Sequence, residues 1–132
     1  MAALRAAARP NLSVEDHRGG EAYWRALSEA RIFLFPTQAE TFGLTVAEAM
    51  AAGCAVVASL DTFPVAGHRR PPGDEAGMIA ALARLWEDRA ATAAAGAENI
   101  RLAQAFTWTR HAERLAAIYG EVLAGRPRAA EA

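Results

Sequence analysis

The sequence predicts an α/β fold, a doubly wound parallel sheet with carboxyl-terminal helices. Three observations predict it. Ile32–Phe35 and Ala55–Ala58 are short apolar runs without polar alternation, the mark of strands buried on both faces. A helical run separates them, and strands joined through a helix pair in parallel. From Pro71 onward, apolar residues recur at helical spacing.

Taken in order, Leu12-Ser13-Val14 is a candidate short strand, and residues 21–30 read as a helix with Tyr23, Trp24 and Leu27 on one side. Ile32–Phe35 is the first firm strand, stopped by Pro36. Phe42 and Gly43 open the next helix and Gly53 closes it, because glycine takes the left-handed conformation that ends helices at little steric cost. That helix spans 44–52, and Ala55–Ala58 follows as a strand. Pro71-Pro72-Gly73-Asp74 makes a loop and an N-cap for a helix carrying Met78, Ile79, Leu82, Leu85 and Trp86. An alanine-rich helix runs over 89–105. Thr107 caps a last helix, whose stripe of Trp108, Ala112, Leu115, Tyr119 and Val122 reads as core packing. Residues 1–123 thus form a single domain and 124–132 a flexible tail.

Composition narrows the class. With 132 residues, 53% hydrophobic and 22% charged, the chain is long enough to bury a core and too apolar to be disordered. A net charge of −1 gives no field directed at nucleic acid or an acidic membrane. All 14 basic residues are arginine, which excludes lysine-dependent phosphate or Schiff-base chemistry. Cys54 stands alone, so no internal disulfide forms, and its apolar setting reads as a small buried thiol. No apolar stretch approaches the ~20 residues of a membrane span, and the amino terminus, broken by Arg5 and Arg9, lacks an apolar leader segment. A cytoplasmic location is expected.

Chemistry concentrates in Glu40 and Glu48, eight positions apart. Glu40 falls in the loop before the helix, and Glu48 lies inside it, about 7 Å further along the axis at ~1.5 Å per residue. Between them, the free N–H groups of the first turn and the helix dipole form an anion site. Leu44, Ala47, Glu48 and Ala51 share one helix face, so Glu48 sits among apolar neighbours and requires a hydrogen-bond partner. Two carboxylates flanking an anion site suit a ligand with hydroxyls at both ends and a diphosphate between them. The arginines at 69 and 70 are candidates for reaching phosphate, although a solvated loop is the plainer reading. His17, His68, His111 and Asp61 have no metal-ligand spacing, and no metal or cofactor is expected.

The run Ile32-Phe33-Leu34-Phe35-Pro36-Thr37, then Glu40-Thr41-Phe42-Gly43-Leu44, then Glu48 through Ser59 resembles the donor-binding domain of retaining GT-B glycosyltransferases of family 4. Pro71-Pro72-Gly73-Asp74 and Phe106-Thr107-Trp108 are similar to that family's carboxyl-terminal region. The resemblance implies a partial Rossmann-like sheet and transfer of a sugar from a UDP-, GDP- or ADP-sugar with retained anomeric configuration and no bound metal. It implies that Glu40 bonds donor-sugar hydroxyls, that Glu48 grips the ribose hydroxyls, and that N–H groups of Phe42, Gly43 and Leu44 face the sugar and diphosphate.

Against the family pattern, the acceptor domain and the start of the donor domain, with their phosphate-neutralising Arg and Lys, are expected to be missing. Val65 stands where the family has an acid, and one strand after Ser59 is expected to be deleted, leaving three strands and an open edge. Activity would then need another chain to supply the acceptor domain. Rival readings are a non-catalytic module that self-associates or binds a partner chain through its last helix, and a nucleotide-sugar epimerase of similar fold.

Overall fold

The computed structural model describes residues 9–59 and 62–125. Most of the arginine-broken amino terminus, Asp61 and nearly all of the expected tail lie outside them. The order is α1 (Gly20–Glu29), β1 (Ile32–Phe35), α2 (Leu44–Ala51), β2 (Ala55–Ala58), β3 (Gly67–Arg69), α3 (Glu75–Glu87), α4 (Arg89–Ala103), a 3₁₀ turn (Gln104–Phe106) and α5 (Trp108–Leu123). The sheet is parallel in the order β1-β2-β3, with Ile32 opposite Ala55 and Val57 opposite His68.

β2 explains why the sheet is covered on both faces. All four of its residues are buried, and its alternating side chains serve two layers. Val56 and Ala58 pack with Val46, Ala47 and Met50 of α2 and with Phe63, while Ala55 and Val57 pack with Met78, Ala81 and Leu85 of α3. Asp74 and Thr107 cap their helices as expected, and Asp88 caps α4 as well. Asp74 accepts from Gly77 N at 3.0 Å, Asp88 from Ala91 N at 2.8 Å and Thr107 from Arg110 N at 3.3 Å.

α4 presses closely on the turn between α2 and β2. A Cβ on Gly96 would stand 2.2 Å from the Gly53 carbonyl oxygen, so only glycine permits this approach. One turn further along, the wholly buried Asn99 bonds three backbone groups. Its Nδ2 donates to Cys54 O at 2.7 Å and Ala66 O at 2.8 Å, and its Oδ1 accepts from Ala66 N at 2.6 Å. This carboxamide ties the start of β2 to the residue before β3.

Four expectations are corrected. Leu12-Ser13-Val14 forms no strand: an isolated bridge joins Arg9 to Leu12, and Ser13 and Val14 pair with no strand. β1 is not buried on both faces, because it is an edge strand and Leu34 is 43% exposed. A strand is present after Ser59, where one was expected to be deleted. It is the polar run Gly67–Arg69, whose backbone pairs with β2 regardless of its side chains, and a Cβ on Gly67 would lie 2.1 Å from Val56 O. The α5 stripe is not core, since no α5 residue is buried and Trp108 is 86% exposed. Among the described residues, the 3₁₀ turn is the main element packed against α5.

Candidate functional site

Leu44, Glu48 and Ala51, with the edge of the buried Ala47, line a groove of about 790 Å³. The opposite side of α2, through Val46, Ala49 and Met50, is the buried one. A carboxylate has therefore been placed on the accessible wall of a helix whose other wall is fixed in the core. Trp24 of α1 closes one side of the groove, and residues from Ala103 to Arg114 close the other.

Glu48 is half-buried, and its Oε2 accepts a hydrogen bond from the Tyr23 hydroxyl at 2.7 Å. Burial first, then this bond and the carboxylate charge, push the Tyr23 hydroxyl up to about 12. The phenol therefore stays protonated and donates throughout the neutral range. It orients one carboxylate oxygen and leaves acceptor positions on the group for paired hydroxyls. Helical spacing assigns Tyr23 only to the packing side of α1 with Trp24 and Leu27; its bond to Glu48 spans 25 positions and leaves no local signal.

The loop ahead of α2 is set by Gly43, which serves as N-cap with φ 92° and ψ 47°, in the left-handed region. No side chain caps this helix, and Gly43 O accepts from Val46 N at 2.9 Å and Ala47 N at 3.1 Å. Glu40 is exposed and folds onto its own loop: its Oε1 accepts from Thr41 N at 2.8 Å and Phe42 N at 3.4 Å. The Phe42 N–H, assigned by sequence to a ligand, is thus turned onto Glu40. Thr62 Oγ1 pins the loop by donating to Phe42 O at 2.7 Å.

Three aromatic rings fix the far wall. Phe42, Phe63 and Phe106 stack in mutual contact, with centroid separations of 5.3, 5.8 and 4.7 Å. They join the loop before α2, the segment after β2 and the turn before α5. The start of α5 is thereby held next to the start of α2.

Of the residues singled out by sequence, the structure brings Phe42, Leu44 and Glu48 to one groove, with Gly43 buried behind them. Glu40, Arg69 and Arg70 do not line it. Arg69 ends β3 and is exposed, while Arg70 follows the strand and is half-buried. Arg70 Nε is buried without a hydrogen-bond partner. Cys54 is buried, its Sγ within 3.3 Å of Leu27 O and 3.4 Å of Ala30 O, and burial raises its pKa, so it is an inert packing thiol. Among the described residues no helix is long and apolar enough to cross a membrane.

A parallel sheet covered on both faces, with a carboxylate-bearing groove beside the helix after β1, is a partial Rossmann-like domain of the GT-B type. Residues 2–88 match the family model described as glycosyl transferases group 1, and the chain belongs to that family. It is also similar to the phosphatidyl-myo-inositol mannosyltransferase of Mycobacterium leprae (strain TN), with 36% identity over 108 residues. That match covers 74% of this chain and 28% of the mannosyltransferase.

Proposed function

We propose that this chain binds a nucleoside diphosphate sugar and, completed by an acceptor-binding domain, transfers the sugar with retention, as a family 4 glycosyltransferase. The observation that carries this reading is Glu48: a half-buried carboxylate, oriented by Tyr23 and facing a groove of ligand size. Glu48 accepts from the ribose hydroxyls, and the uncapped start of α2, with the N–H groups of Gly43 and Leu44, favours the diphosphate. Glu40 exchanges its bonds to Thr41 and Phe42 for donor-sugar hydroxyls, releasing the Phe42 N–H. The mannosyltransferase relative makes mannose the first sugar to test.

Calorimetric titration with UDP-, GDP- and ADP-sugars, repeated on Glu48→Gln, tests the reading. Binding by the parent chain that weakens about tenfold or more in the variant supports it, the loss expected when a charged acceptor is neutralised. A folded parent chain that binds none of them refutes it.

A second reading has its own observation, the α5 face bearing Trp108, Tyr119 and Val122, all exposed. On this reading the chain self-associates or binds a partner chain through α5. A strictly monomeric chain in size-exclusion chromatography at high concentration argues against self-association.

A further inference from the structure

The groove has a basic wall that the reading above leaves unused. Arg110, His111 and Arg114 all line it, opposite the α2 wall that carries Glu48. Positions 110 and 114 stand one helical turn apart, with 111 beside them, so the three side chains share one face of α5. Both guanidinium groups are uncommitted: among the described residues neither Arg110 nor Arg114 enters an ion pair. Glu48 is the one acid in the groove lining, and it is already engaged by Tyr23. Thr107 and the Phe42-Phe63-Phe106 stack hold this start of α5 at the mouth of the groove.

We propose that Arg110 and Arg114, with His111 beside them, form the diphosphate-binding side of the groove. The guanidinium fork suits phosphate oxygens, and two forks one turn apart present donors to two adjacent phosphoryl groups. The groove then has a division of labour. Ribose hydroxyls go to Glu48 on the α2 wall, and the diphosphate lies between the N–H groups at the start of α2 and the arginines of α5. This rests on the nucleotide-sugar reading for what is attached to the diphosphate, but the anion site itself stands on the groove geometry. It also gives the arginines of α5 the role that the sequence suggested for Arg69 and Arg70.

The test uses inorganic pyrophosphate and a nucleoside diphosphate as separate calorimetric probes on the full chain at low salt. The Arg110→Ala/Arg114→Ala variant is expected to fold, since both side chains are exposed, and circular dichroism checks this. Its pyrophosphate affinity should fall about tenfold or more, as expected for losing charge-assisted bonds, while Arg69→Ala, outside the groove, leaves pyrophosphate binding unchanged. Pyrophosphate binding that survives in the double variant, or is absent from the parent chain, overturns the proposal. If pyrophosphate binds and depends on the two arginines, but the nucleoside diphosphate binds no tighter and ignores Glu48→Gln, the nucleotide reading fails and the anion site stands.

Discussion

Replacing Asn99 by leucine should destabilise the chain more than almost any other single polar change. The side chain is wholly buried inside α4 and serves three backbone groups with bonds of 2.6, 2.7 and 2.8 Å. Leucine keeps the volume and removes every bond. Ala66 O retains a second donor, Val56 N at 3.2 Å, so its loss is partial. Ala66 N and Cys54 O lose the Asn99 partner outright, and a buried group left unsatisfied costs roughly 1–3 kcal/mol. The sum is about 3 kcal/mol, a large share of the ~5–15 kcal/mol that holds a typical domain together. At about 4 °C per kcal/mol for a domain of this size, the melting temperature should drop by roughly 12 °C. Urea unfolding followed by circular dichroism measures it, with a lower midpoint and an unchanged slope. A loss below about 1 kcal/mol would refute the claim that this carboxamide links β2 to β3.

Tyr23→Phe should cost about 1.5 kcal/mol, the low end for a bond to a charged group because the pair is half-buried, and should weaken nucleotide affinity by freeing Glu48. The same bond gives a pH signature. The Tyr23 hydroxyl rises from 10.0 to about 12 on folding, so its contribution is complete below pH 10 and disappears as pH climbs toward 12. Alkaline unfolding curves of parent and Tyr23→Phe should converge over that window, and parallel curves would count against the bond. Gly96→Val should destabilise severely, since even a Cβ there meets the Gly53 carbonyl at 2.2 Å, and thermal melting reads the effect. Trp108→Ser should change stability by less than about 0.5 kcal/mol, because the ring is 86% exposed; a larger fall in melting temperature would mean that α5 is packed in solution.

Much of the framework was readable from residue patterns because local signals and burial agree there. Ile32–Phe35 and Ala55–Ala58 are observed as expected, and α2 runs from Leu44 to Ala51 with Gly53 at φ 89° just beyond it. Asp74 and Thr107 cap the helices they were expected to cap. β3 was hidden because Gly67-His68-Arg69 carries no apolar pattern; its pairing is a backbone matter settled by the neighbouring β2. The stripe on α5 was misread because periodicity reports an amphipathic face without saying whether anything covers it. At the site, helical spacing put Glu48 on the correct face, and the groove is lined by the same four α2 residues that the spacing groups together. The partners of that face come from α1 and α5, distant in sequence. Tyr23, Arg110 and Arg114 therefore carried no local signal of their roles.

The central claim is that the Glu48 carboxylate receives the ribose of a nucleotide in the groove between α2 and α5. A crystal structure of the chain soaked with a nucleoside diphosphate measures this directly. The account predicts nucleotide density in the groove, with ribose hydroxyl oxygens about 2.5–3.0 Å from Glu48 and Tyr23 still donating to the same carboxylate. Nucleotide bound elsewhere on the molecule, with Glu48 bonded to Tyr23 alone, would contradict it.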